Sequence, residues 1–101
     1  SAPKPTPALP AGPTPPKIVQ IFTPEQQREY NRELDDSLGR VQRALEVVSR
    51  KSLTPEQTAA ADRIRVFQTQ AEQARTQDLV TAVNLARRAD LLAKDLLERL
   101  P

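Results

Sequence analysis

The tetrapeptide Thr-Pro-Glu-Gln occurs twice, at 23–26 and at 54–57, and each copy is a helix start. The threonine hydroxyl accepts from the amide three residues on. Proline at the first helical position lacks an amide that would have no partner there, and glutamine at the third position reaches back to the cap. The residues after the two copies do not align, so the same cap is used twice rather than a unit being duplicated. Behind the first copy, apolar residues fall at Tyr30, Leu34, Leu38, Val41, Leu45 and Val48. Behind the second they fall at Ala60, Ile64, Phe67, Ala71 and Ala74. From Leu34 and from Ala60 the steps alternate four and three, which keeps one helix face apolar. Gly39 lies inside the first stripe without disturbing its phase, so one helix, with a possible bend there, spans it at a cost of about 1 kcal/mol relative to alanine. Arg50 and Lys51 suit that helix's C-terminus.

A third stripe runs Leu79, Ala82, Ala86, Ala89, Ala93, Leu96 and Leu100. Passing from Ala74 to Leu79 is a step of five, about 140° out of phase at 100° per residue. The polar run Arg75-Thr76-Gln77-Asp78 crosses that slip, and Thr76 or Asp78 would cap a new helix. A turn is the favoured reading. A single kinked helix of about 46 residues, about 69 Å long, is the alternative. Alanine at four successive positions of the third stripe lets a neighbouring backbone approach closely. Val80, Val83, Leu85, Leu91, Leu92 and Leu97 widen its apolar surface, which predicts the most buried of the helices.

The expected fold is all-α: an antiparallel three-helix bundle with heptad-like seams, preceded by a disordered Pro-rich segment. The helices are expected over about 24–51, 55–75 and 78–100, forming a bundle over 23–101. The first turns of helix 1, with only Tyr30 apolar before Leu34, read as a solvated end. With aromatics at 3 % of the chain, the core must come from small aliphatic side chains in helix–helix seams.

Seven of the first sixteen residues are proline. Each removes a backbone donor and pushes the residue before it to extended conformations. Residues 1–17 therefore read as an extended tether of about 50 Å at about 3.1 Å per residue. A second reading makes Pro7-x-x-Pro10, Pro10-x-x-Pro13 or Pro13-x-x-Pro16 a ligand for an aromatic groove, although such spacings arise by chance in so proline-rich a stretch. Residues 18–22 form a short apolar linker. Ile18, Val19, Ile21 and Phe22 are the candidate partner-contact residues, followed by Val47 and Val66, which lie off the seams. For the stretch 18–22 itself, packing against the domain's own surface is favoured over adding as a strand to a partner, since exposed isoleucine and phenylalanine are costly.

Charge has to be divided by region. Of 15 basic residues, Lys4 and Lys17 lie in the tail, leaving 13 against 13 acids over 23–101. A neutral folded part argues against a nucleic-acid-binding domain. Arg87-Arg88 and the Arg63/Arg65 pair are interrupted by Asp62 and Asp90, and Phe22, Tyr30 and Phe67 offer no stacking platform.

The absence of histidine and cysteine removes the commonest general base, the best nucleophile and the usual transition-metal ligands. Ser37, Ser49 and Ser52 have no candidate base beside them. Two glycines cannot build a phosphate loop. Asp35-Asp36 and the Glu25/Glu29/Glu33 face would need burial to do acid–base or metal chemistry, and Arg28, Arg32 and Arg40 interleave them. Asp36–Arg40, Glu46–Arg50, Asp90–Lys94 and Asp95–Arg99 are acid-then-base at four-residue spacing, as on solvated helix faces. The expectation is no catalytic site, no cofactor and no metal.

These features predict a non-enzymatic helical interaction or spacer module on a flexible arm, with an unidentified protein partner and no nucleic acid. The layout, a Pro-rich spacer ahead of a small helical domain, resembles that of surface-anchored bacterial envelope proteins. That resemblance carries no residue motif. It implies an exported, periplasmic or envelope-tethered location, with an anchor ahead of Ser1. No run of about 18 apolar residues exists to cross a membrane. The alternative function is a coiled-coil oligomerisation element, since heptad steps also suit pairing between chains, and monomer and homodimer stay equally open. A small apolar ligand inside the bundle is a third class, with little room between Ala-rich seams.

Overall fold

The computed structural model describes residues 21–101, and these form three helices with no strand among them: α1 (Pro24–Val48), α2 (Pro55–Ala74) and α3 (Leu79–Arg99). The expected Pro-rich tether over 1–17, with Ile18 and Val19, lies outside the described residues. Both Thr-Pro-Glu-Gln motifs close full capping boxes. Thr23 Oγ1 accepts from the Gln26 amide at 3.0 Å and Gln26 Oε1 from the Thr23 amide at 3.0 Å. Thr54 and Gln57 repeat this at 3.1 and 2.9 Å.

The helix ends differ in detail from expectation. α1 stops at Val48 rather than 51, with Arg50 and Lys51 beyond it. The Ser49 hydroxyl donates to the Glu46 carbonyl at 2.7 Å, and the Arg50 and Lys51 amides bond three residues back, to Val47 and Val48. Such bonds tighten the last turn and end the α-helical ladder. At the phase slip the chain turns, so α2 and α3 are not one kinked helix. Asp78 caps α3, its carboxylate accepting from the Thr81 amide at 3.1 Å and the Thr81 hydroxyl at 2.7 Å. The carboxylate satisfies two donors at the helix start where a continuing helix would leave it on the apolar seam.

The core is one seam in two clusters, and their membership gives the topology. Leu34 and Leu38 of α1 meet Ala71 near the end of α2 and Leu79, Ala82, Val83 and Ala86 in the first half of α3. Val41, Leu45 and Val48 meet Ala61 and Ile64 near the start of α2 and Ala89, Ala93 and Leu96 in the second half of α3. α2 therefore runs antiparallel to both neighbours and α1 and α3 run parallel. α3 is central: its backbone approaches both α1 and α2 over most of its length, whereas α1 and α2 come close at few positions. Ala82, Ala86, Ala89 and Ala93, all 2 % exposed or less, are the reason, since a methyl group holds a neighbouring helix closer than a leucine does.

The α1 stripe is wider than its 4–3 rhythm implies. Ser37 and Ala44, seven residues apart, are buried beside Leu38 and Leu45, adding a column of small residues. The end of α1 expected to be solvated is partly covered. Phe22 and Tyr30 both pack on the first cluster, with their rings 5.1 Å apart and tilted by 58°.

Half of the ion pairs among the described residues, three of six, join residues of different helical segments, and three are local at three- or four-residue spacing. Of the four spacings expected to pair within a helix, only Asp95–Arg99 does, at 3.2 Å. Arg40 and Asp90 pair with each other instead, at 2.9 Å, because the parallel α1–α3 packing puts them nearer one another than their same-helix neighbours. Arg75 joins Asp35 at 2.6 Å, and Arg87 joins Glu33. Glu33, first as hydrogen-bond acceptor and then as a nearby charge, holds the Arg87 guanidinium above the ordinary arginine range. These pairs are partly to largely exposed to water, which screens them, so each adds little net stability. Their value is in fixing register.

Two substitutions test this packing. A Cβ added at Gly39 would meet only the end of the Arg43 side chain, at 3.4 Å. Gly39→Ala should therefore stabilise the fold by about 0.5–1 kcal/mol, read as a higher urea midpoint with unchanged slope. A lower midpoint would mean that α1 needs glycine there. Ala86→Leu should cost about 1–3 kcal/mol, since the extra volume has to separate α3 from α1.

Candidate functional site

The most distinctive surface lies where the small-residue columns of α1 and α3 face each other. Ala44 and Ala93 form the floor of an open groove of about 620 Å³ between the two helices. Its apolar walls are Val47 on α1 and Leu91 and Leu97 on α3. Leu91 is 70 % exposed, and Val47 and Leu97 are partly so. The groove follows from the packing. Alanines bring the helix backbones together yet leave nothing tall enough to fill the space above them, while larger neighbours stand up on each side.

Polar groups close the groove along its rim. Arg40 Nε donates to Asp90 Oδ2 at 2.9 Å, and its Nη2 donates to the Ser37 hydroxyl at 3.2 Å. Ser37 is 2 % exposed, the one buried polar residue among those described, and this contact supplies its partner. Arg40 thus ties a buried hydroxyl on α1 to a carboxylate on α3. Arg43 and Lys94, also on the rim, make no ion pair among the described residues.

The structure places the sequence candidates as follows. Ile21 is 89 % exposed, while Phe22 is half-buried against Tyr30 and the first cluster. Val47 and Val66 are both exposed, but only Val47 joins a larger apolar surface, because Val66 stands alone on α2. Leu91 and Leu97, expected from the sequence to widen the buried face of α3, instead stand exposed as groove walls. A signal for Leu91 was present: it lies about 180° from the centre of the Ala82–Leu96 seam at 100° per residue. The Asp35-Asp36 pair and the Glu25/Glu29/Glu33 face are brought to no shared centre. Asp35 and Glu33 pair separately with Arg75 and Arg87, and no group of three or more acidic side chains among the described residues is placed to hold a metal ion. None of the three helices is long and apolar enough to cross a membrane.

In comparisons with known proteins, no family model matches the chain, and neither a curated protein nor a solved structure matches it significantly.

Ile21 and Phe22, the described residues of the apolar linker, should respond differently to substitution. Ile21→Ser should leave stability within about 0.5 kcal/mol of the parent, as an exposed side chain does. Phe22→Ser should cost about 1 kcal/mol or more through loss of the ring pair and its packing. Thermal unfolding followed by circular dichroism separates the two. Equal losses would mean that Ile21 also belongs to the core.

Proposed function

We propose that this chain is a non-enzymatic helical interaction and spacer module, its head the three-helix domain and its arm the Pro-rich segment ahead of it. The observation that carries the proposal is that the seams close within one chain. Leu34, Val41, Ile64, Ala71, Ala82, Ala86 and Ala89 are essentially inaccessible, and no buried side-chain polar atom among the described residues lacks a partner. A domain that completes its own core is free to use its outer surface for a partner. Its acidic and basic side chains are spread over exposed faces and cross-helix pairs, in keeping with scaffolding rather than chemistry. The spacing role follows from the arm, whose composition favours extension, and an anchored place in a bacterial cell envelope fits that layout.

The competing reading is a coiled-coil oligomerisation element, and it draws on the same exposed Val47, Leu91 and Leu97. Solution mass separates them. Light scattering across a hundredfold concentration range should give a monomer near the sequence mass of 11.2 kDa, and small-angle scattering a compact head. A concentration-dependent dimer would replace the module with the oligomerisation element.

A further inference from the structure

We infer that the α1–α3 groove is a docking site for an amphipathic helix of a partner protein, one whose apolar stripe is flanked by aspartate and glutamate. This rests on the interaction-module reading and gives it a surface and a partner chemistry. Two roughly parallel helices with a floor of Ala44 and Ala93 offer the trough in which a further helix packs ridge into groove. Val47, Leu91 and Leu97 stand where residues at i, i+3, i+4 and i+7 of an incoming helix would seat. The exposed parts of these three side chains, bordered by polar groups, are what the apolar stripe of a partner helix would cover.

Charge selects the occupant. Asp90 is already held by Arg40, so the rim presents the unpaired cations Arg43 and Lys94. A second copy docking through the same surface would bring Arg43 and Lys94 against their own counterparts, a like-charge contact across a desolvated seam. Neither does the chain's own apolar linker reach. Phe22 is fixed beside Tyr30, and Ala44 lies about 21 Å further along α1 at 1.5 Å per residue. The four residues from Phe22 back to Ile18 span at most about 14 Å. Residues 1–16 contain one large aliphatic side chain, Leu9, and no acid, which is a poor match to three apolar walls and two cations. An acidic amphipathic helix satisfies both the walls and the rim.

The test uses the whole 101-residue chain and two designed peptides, each two heptads long with leucine at i, i+3, i+4 and i+7. In one, glutamate flanks the leucine stripe, and in the other lysine does. Titrations followed by amide NMR shifts should show the glutamate peptide binding at least tenfold more tightly, with shifts centred on Ala44, Val47, Leu91 and Leu97. Raising the salt concentration should narrow that preference. The double variant Arg43→Glu, Lys94→Glu should reverse it, and Leu91→Ser should weaken both peptides about tenfold. All three positions are exposed, so their helicity should match the parent. Equal affinities, or shifts centred elsewhere, would overturn the assignment. A monomer that binds neither peptide would also overturn it while leaving the module reading intact. A dimer dissolved by Leu91→Ser would overturn both, making a second copy the occupant.

Discussion

Close contact along the alanine column of α3 is the constraint on which the rest of this domain depends. Ala82, Ala86, Ala89 and Ala93 occupy the line facing both other helices, and none is more than 2 % exposed. Each buries little area by itself, so stability comes from the many van der Waals contacts that close backbone approach permits. Larger residues on α1 and α2, namely Leu34, Leu38, Val41, Leu45 and Ile64, then fill the remaining volume. That division of size explains why α3 is shared by both neighbours and why α1 and α2 stay further apart. It also explains how a chain with three aromatic residues builds a core.

The groove is the outer consequence of the same choice. On the inner side, the small residues Ser37 and Ala44 let α1 and α3 approach. On the outer side, Ala44 and Ala93 leave a trough that no side chain among the described residues fills. Ser37 shows how the packing tolerates a polar group there. Its hydroxyl is buried, and the Arg40 guanidinium both satisfies it and reaches Asp90 on α3. An unsatisfied buried hydroxyl would cost about 1–3 kcal/mol. The cross-helix pairs Arg40–Asp90, Arg75–Asp35 and Arg87–Glu33 add little energy in water. They do penalise a slip of one helix past another, because a shift by one turn breaks them together.

Much of the domain was legible in the primary structure because its signals are local. Capping boxes need only residues three apart, and the seam residues Leu34, Val41, Ile64, Ala71, Ala86 and Ala93 recur with the helical period. The turn at 75–78 was readable from the phase slip alone. The absence of histidine, cysteine and a glycine-rich loop narrows the available chemistry from composition alone. The candidate surface was only partly legible. Val47 stood out as an apolar residue off its stripe, but Leu91 and Leu97 looked like more of the same core in a helix already rich in leucine.

The residue order thus settles where each helix begins, which face of it is apolar and how small its contact residues are, since these follow from backbone donors and a 3.6-residue period within one segment. Which charges pair, whether Phe22 joins the core, that serine at 37 is buried and that Leu91 lines a groove were decided by the tertiary structure. Those outcomes depend on which two helix faces are brought side by side, and residues 50 apart, such as Arg40 and Asp90, carry no local sign of one another.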